Sequence, residues 1–157
     1  MTIRVAINGF GRIGRNFARA VRGNDQIELV AANDLGDITT LAHLLKYDTV
    51  HGQAPFEIDH DDKGIAIAGR YMSMYRDRDP SNLPWAELGV DVVIESTGFF
   101  TNREGAAKHM AAGAPRVIIS APSDDCDATY VIGVNDGDFD AATDNVISNA
   151  SCTTNCL

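Results

Sequence analysis

Apolar residues recur along the chain with two periods, which predict alternating strands and helices. Residues 3–7 alternate as in a short strand, whereas from Arg12 to Val21 apolar side chains follow helical spacing. The same contrast returns in residues 27–32, a second apolar strand, and in residues 38–46, a second helix. Either Thr39 or Thr40 is a candidate cap for that helix.

The middle of the chain departs from this alternation. Residues 56–75 contain short alternating runs separated by Gly-containing turns, and they predict small antiparallel strands inserted between the parallel units. Residues 76–85 are polar and contain two prolines, a composition typical of a solvated loop.

The alternation resumes in the second half. Asn102 is placed to cap a helix that runs to Ala112 and that Gly113 terminates. Strands are predicted over residues 91–95, 116–121, 128–134 and 145–148. The pattern therefore predicts an α/β fold of the Rossmann type, a doubly wound, mostly parallel sheet with a small inserted antiparallel region.

The first strand-to-helix turn carries a G-x-G-x-x-G sequence from Gly9 to Gly14. In such a turn Gly9 permits the tight reversal, Gly11 lets backbone approach a pyrophosphate, and Gly14 lets the helix pack closely on the strand. The amides at the helix start and the positive end of its dipole favour phosphate binding without a lysine.

Asp34 ends the second strand, twenty residues after Gly14. This spacing is typical of the acidic residue that hydrogen-bonds the adenosine ribose hydroxyls. A carboxylate there repels a 2′-phosphate, so the sequence predicts NAD rather than NADP. The alternative is that Asp34 only begins a turn. Spacing alone does not choose between Arg76 and Arg78 for the adenosine end, nor decide whether Ser120 contacts the cofactor or caps a turn.

Composition narrows the class of protein. A length of 157 residues with 45% hydrophobic side chains suits one globular domain. The net charge of −9, from 13 basic and 22 acidic residues, argues against nucleic-acid binding, which depends on Lys and Arg at phosphates. The sequence also contains no signal-peptide core and no apolar run of transmembrane length, so we expect no membrane partner and a cytoplasmic location.

Three cysteines suit a reducing compartment, and they lack the further ligands of a zinc site, so we expect no metal. Cys152 follows a predicted strand and begins a predicted helix, with Ser151 or Asn149 as its cap, where helix-terminal amides favour a thiolate. Cys156 lies one turn deeper, where we expect burial to keep the thiol neutral. Cys126 is flanked by carboxylates and is interpreted as inert. Beside an NAD site, a thiolate at Cys152 suggests addition to an aldehyde.

The sequence resembles the phosphorylating glyceraldehyde-3-phosphate dehydrogenases along essentially its whole length. The shared segments are NGFGRIGR (8–15), LLKYD (44–48), ESTG (95–98), ISAP (119–122), GVN (133–135) and above all ASCTTNCL (150–157).

The resemblance implies oxidation of glyceraldehyde 3-phosphate with inorganic phosphate to 1,3-bisphosphoglycerate, with Cys152 as the nucleophile that forms a thiohemiacetal and then a thioester. It places Ser151 and Thr153 in the phosphate-binding environment of the substrate. It implies NAD contacts for Gly9, Gly11, Arg12, Ile13, Gly14, Asp34, Arg78 and Ser120. It also implies a homo-oligomer, usually a tetramer.

The family has a second, catalytic domain that carries a histidine base, and none of the four histidines, His43, His51, His60 and His109, matches that base. We therefore interpret residues 1–150 as the NAD-binding domain and residues 151–157 as the start of the catalytic helix that leads to a domain absent from this chain. The isolated chain is expected to be inactive. The alternatives are an erythrose-4-phosphate dehydrogenase and a non-catalytic NAD-binding fragment.

Overall fold

The computed structural model describes residues 2–157, and within them it has four α-helices, eleven strands and two short 3₁₀ helices, Pro80–Asn82 and Asp136–Asp138. The helices are α1 (Arg12–Ala20), α2 (Ile38–Lys46), α3 (Arg103–Ala111) and α4 (Cys152–Cys156). The strands are β1 (Ile3–Asn8), β2 (Ile27–Asn33), β3 (Tyr47–Asp48), β4 (Gly52–Gln53), β5 (Ile58–His60), β6 (Gly64–Ile67), β7 (Arg70–Tyr75), β8 (Val92–Glu95), β9 (Val117–Ile119), β10 (Ala128–Thr129) and β11 (Val146–Ser148).

Nine strands form one sheet in the order β10-β11-β9-β8-β1-β2-β7-β6-β5, and β3 pairs with β4 in a separate hairpin. The pairings from β10 across to β7 are all parallel. The predicted doubly wound α/β fold is therefore confirmed. β2 and β8 lie on opposite sides of β1, so the order of strands in the sheet reverses at β1. Such a reversal opens a crevice at the carboxyl ends of these three strands.

The inserted antiparallel region is also confirmed, with one addition. β5 and β6 pair antiparallel, as do β6 and β7. However, β7 pairs with β2 in parallel, so the insertion extends the main sheet rather than forming a sheet of its own.

Alternation along β1 divides the core between the two faces of the sheet. Val5 and Ile7 belong to a cluster with Ala18 of α1 and Leu45 of α2. Ala6, which points the other way, belongs to a second cluster around Trp85. Each fully buried large side chain contributes about 1.5–3 kcal/mol, so both faces hold the strand ends that line the crevice in place.

Two local predictions were wrong at the level of single side chains. The cap of α2 is Asp37, whose carboxylate accepts hydrogen bonds from the Thr40 amide and hydroxyl, so neither threonine caps the helix. Residues 76–85 are not simply a solvated loop, because Leu83 and Trp85 at their end are buried.

The predicted strand over residues 128–134 is also wrong, since β10 stops at Thr129. Side chains compete with the strand ladder there. The Asn135 side chain accepts from the Val131 amide at 2.8 Å and donates to the Thr129 carbonyl at 3.0 Å. Gly133 has a φ of +81°, so the chain turns back on itself rather than extending.

Candidate functional site

The glycine turn between β1 and α1 is held against the end of β8. Gly9 has a φ of +92°, and a Cβ atom there would lie 2.6 Å from the backbone of Ser96 and Thr97. The Ser96 hydroxyl donates to the Gly9 carbonyl at 2.7 Å. A Cβ at Gly14 would lie 2.3 Å from the Gly9 carbonyl oxygen, so this glycine permits close packing of α1 on β1. Both positions have room for no other residue.

Gly11 differs, because a Cβ atom there would meet nothing within 4 Å. It is the N-cap of α1, no side chain caps the helix, and its first turn contains no acidic residue. The other helices each have a side-chain cap, from Asp37, Asn102 and Ser151. The open approach and the unclaimed amides of α1 fit the pyrophosphate of a dinucleotide. Arg12 and Ile13 begin this helix with exposed side chains.

Asp34 binds the turn itself. One carboxylate oxygen accepts from the Phe10 amide at 2.7 Å and the other from the Gly36 amide at 2.8 Å. Each carboxylate oxygen has two lone pairs, so acceptor capacity is left for two ribose hydroxyls. Asp34 thus fixes the turn and faces the crevice with the same group.

Arg15 supports the turn from the other side. Its guanidinium donates to the Phe10 carbonyl at 2.8 Å. Burial is the main cause that lowers the Arg15 pKa below its usual value, partly offset by the nearby Asp34 carboxylate.

A pocket of about 390 Å³ lies at the carboxyl ends of β1, β2 and β8. Of the predicted cofactor residues, Gly9, Asp34 and Arg78 line it. Arg76 instead donates to the Leu35 carbonyl at 2.9 Å. The pocket also contains residues that the sequence did not single out: Asn8, Asn33, Leu35, Asp77, Thr97, Phe99 and Phe100.

Ser120 lies outside the lining of this pocket, directly after β9. Its amide donates to the Glu95 carbonyl at 3.0 Å and continues the pairing of β9 with β8. Ser120 is therefore at the same edge of the sheet, one strand further from β1.

Cys152 is exposed at the first position of α4. The chain leaves β11 through Ala150, whose φ of +57° is unusual for a residue with a Cβ atom. The Ser151 hydroxyl then caps α4 by accepting from the Thr154 amide at 3.0 Å. Thr153 is exposed beside Cys152. The cap is thus Ser151 rather than Asn149.

The other thiols have different surroundings. Cys156 is exposed, so the expectation that it is buried is wrong, since no residue of α4 is buried within residues 2–157. Cys126 is half-buried, and its thiol donates to the Ala128 carbonyl at 3.2 Å.

A buried polar cluster that begins at the pocket lining was missed by the sequence analysis. Asn8, Asn33, Glu95 and His109 are all buried at the ends of β1, β2 and β8 and on α3. A signal was present, since Glu95 directly ends an apolar strand, where a carboxylate must be buried and hydrogen-bonded.

Within residues 2–157 no group of three or more His, Cys, Asp or Glu side chains is arranged to hold a metal ion. The same residues include no helix long and apolar enough to cross a membrane.

Comparison with known proteins agrees with this geometry. Residues 3–103 match the family model described as "Glyceraldehyde 3-phosphate dehydrogenase, NAD binding domain". The chain is 56% identical over 157 residues to a glyceraldehyde-3-phosphate dehydrogenase of Priestia megaterium. It is 57% identical over 159 residues to glyceraldehyde-3-phosphate dehydrogenase 2 of Streptomyces avermitilis. Both alignments cover 100% of this chain and 47% of the relative, so the chain spans about half the length of these proteins. NAD, predicted from the glycine turn and Asp34, is confirmed as the cofactor of this domain.

Proposed function

The chain belongs to the glyceraldehyde-3-phosphate dehydrogenase family, and from this premise we propose that it binds NAD in the crevice beside β1 and contributes Cys152 to the oxidation of glyceraldehyde 3-phosphate to 1,3-bisphosphoglycerate. Two features of one sheet carry the proposal. α1 begins without a side-chain cap, α4 begins with an exposed thiol, and each helix follows a parallel strand of that sheet.

Different residues would bind different parts of NAD. The amides at Arg12 and Ile13 would bind the pyrophosphate at the α1 N-terminus, where Gly11 leaves the approach open. Asp34 would accept from the adenosine ribose, with Arg78 at the adenosine end of the pocket. Ser120 would contact the cofactor one strand further along the sheet edge. When bound, NAD supplies the acceptor for the hydride that the substrate carbon loses.

Cys152 would do the covalent chemistry. Its thiolate adds to the aldehyde carbon, and the electron pair of the C=O bond moves onto oxygen, where the Cys152 amide helps to hold the charge. After the carbon has lost its hydride, the oxygen lone pair re-forms the carbonyl and leaves a thioester. Inorganic phosphate then attacks that carbon and displaces the Cys152 thiolate. Ser151 and Thr153 flank the thiol and would form part of the environment of the substrate phosphate.

Alkylation of the three cysteines tests the thiol assignment. The chain is treated with iodoacetamide, with and without glyceraldehyde 3-phosphate, and each cysteine is followed by mass spectrometry. We expect Cys152 to react about tenfold faster than Cys156, because Cys152 lies at the first position of α4, beside the backbone amides of the helix start, whereas Cys156 lies at the helix end, and we expect the aldehyde to protect Cys152 alone. Cys156→Ser is the matched control and should leave the Cys152 rate unchanged.

Equal rates at Cys152 and Cys156, or no protection by the aldehyde, would contradict the proposal. Stronger protection by erythrose 4-phosphate than by glyceraldehyde 3-phosphate would favour an erythrose-4-phosphate dehydrogenase instead. The tetramer belongs to the same proposal, and light scattering tests it.

A further inference from the structure

Glu95 and His109 form a buried pair whose side chains are 1% and 0% exposed, and the chemistry proposed above uses neither. Their nearest atoms, His109 Nε2 and Glu95 Oε2, are 2.9 Å apart. A buried carboxylate is stable only when its lone pairs are met by donors. The other hydrogen-bond partners of these two side chains therefore determine the role of the pair.

Trp85 fixes the tautomer of the histidine. The indole N–H can only donate, and it lies 3.0 Å from His109 Nδ1, which must then be the acceptor. The ring proton is consequently on Nε2, where it donates to Glu95. A neutral imidazole held in one tautomer thus supplies one fixed donor to the carboxylate.

Glu95 connects His109 to the wall of the pocket. Its second oxygen, Oε1, accepts from the Thr97 amide at 2.8 Å and from the Thr97 hydroxyl. The same hydroxyl accepts from the Phe99 amide at 3.1 Å. Thr97 and Phe99 both line the crevice, so one carboxylate holds the segment that forms one of its walls.

The cluster also reaches the opposite wall. Glu95 Oε2 accepts from the Asn8 side chain at 2.6 Å, and Asn8 in turn accepts from the Asn33 side chain at 2.7 Å. The Asn33 side chain donates to the Asp77 carbonyl at 2.9 Å and accepts from the Asp77 amide at the same distance. Asp77 precedes Arg78. A continuous hydrogen-bonded chain therefore connects α3 to both sides of the crevice.

We propose that Glu95 and His109 are positioning residues for NAD: they act through Thr97, without touching the cofactor, to fix the wall formed by residues 97–100. This inference rests on the proposed placement of NAD in the crevice. The network supplies every donor from the protein itself, which is the condition under which a buried ionisable pair fixes geometry.

The test compares NAD affinity with stability in paired variants. His109→Leu removes the donor to Glu95, whereas His109→Gln keeps an N–H near the position of Nε2. Thr97→Val removes only the hydroxyl that Glu95 holds, and Thr97→Ser retains it. The Kd for NAD is measured by calorimetry and the unfolding midpoint by circular dichroism without NAD. The indole N–H resonance of the single tryptophan, Trp85, reports whether its hydrogen bond persists.

We expect His109→Leu and Thr97→Val each to raise the Kd for NAD about tenfold, the effect of losing one hydrogen bond to a charged group. His109→Gln and Thr97→Ser should recover most of that loss. The Trp85 resonance should move in His109→Leu and stay in Thr97→Val, which separates damage at Trp85 from loss of the wall.

A fall in midpoint with an unchanged Kd would mean that the pair is merely structural and would overturn the inference. Equal loss in Leu and Gln variants, or in Val and Ser variants, would overturn it too. The unaltered chain is titrated first: if it does not bind NAD, the proposed function fails and takes this inference with it. If it binds NAD and Thr97→Val binds equally well, only the inference fails. Thr97→Val keeps the test decisive if His109→Leu does not fold.

Discussion

The helices α1 and α4 both begin after a parallel strand, yet their N-termini are built in opposite ways. α1 has nine residues and starts at Gly11 without a side-chain cap. α4 has five residues and starts at Ser151, which caps the Thr154 amide with its own hydroxyl. The first has no side-chain partner for its amides, whereas the second occupies one amide internally and exposes a thiol.

The difference shows how the two ends are supported. α1 tolerates an uncapped start because Gly14 packs directly on the glycine turn and Ala18 is buried in the core. A glycine at the N-cap costs only about a few tenths of a kcal/mol relative to a capping side chain, which such packing offsets. α4 has no buried residue within residues 2–157, and its Ser151 cap supplies a partner for one amide of its first turn.

Gly14→Ala should have the largest effect, because it removes the support of α1. The added Cβ would meet the Gly9 carbonyl at 2.3 Å and the Ile7 side chain at 2.9 Å. We expect the free energy of unfolding to fall by about 1–3 kcal/mol, as for other overpacked sites, and NAD binding to be lost with it. Urea unfolding and calorimetry measure the two effects. Gly11→Ala is the control, since its Cβ meets no atom within 4 Å, and unchanged stability in both variants would contradict the packing argument.

Ser151→Ala should have an intermediate effect, confined to α4. Without its cap the helix should fray, at a cost of about 0.5–2 kcal/mol, and the reactivity of Cys152 toward iodoacetamide should fall toward that of Cys156. Ser151→Thr retains a hydroxyl and serves as the matched control. NAD affinity should not change in either variant. A Cys152 rate that is indifferent to the Ala substitution would show that the cap does not order the thiol.

A smaller effect should appear with pH, because the cap of α2 is titratable and the start of α1 is not. Hydrogen bonds from the Thr40 amide and hydroxyl hold the Asp37 pKa below its usual 3.8. The folded state therefore favours the charged form, so the stabilisation is present above the unfolded pKa and is lost as pH falls through the lower folded value. Asp37→Asn should reduce the loss of the thermal midpoint between pH 5 and 3. An identical acid profile in the two proteins would be the contrary result.

Sequence periodicity predicted the regular elements well, because these are set by local patterns. The second helix was placed at residues 38–46 and the cap of α3 at Asn102, and both hold. The failures lie where side chains bind backbone. Asp37 rather than a threonine caps α2, and Asn135 turns the chain where apolar residues predicted a strand.

Only part of the candidate site could be predicted from the sequence, for a related reason. The glycine turn and Asp34 are recognisable because their spacing along the chain is fixed by local geometry. Glu95 and His109 are fourteen residues apart and meet only because α3 packs against β9, the strand beside β8. Trp85 lies in a segment whose composition predicts a solvated loop, yet it is fully buried, and its indole N–H donates to His109. Such contacts depend on the tertiary fold and leave no period in the sequence.

The account depends most directly on the α1 N-terminus being left open for the pyrophosphate of NAD. Gly11→Asp tests this, since Gly11 has extended backbone angles that any residue adopts and Asp is a good N-cap. We predict an unfolding midpoint that is unchanged or higher, and an NAD affinity at least about tenfold lower, because the new carboxylate takes the amides and repels phosphate. Gly11→Asn separates the cap from the charge. Unchanged NAD affinity in a folded Gly11→Asp protein would contradict the account.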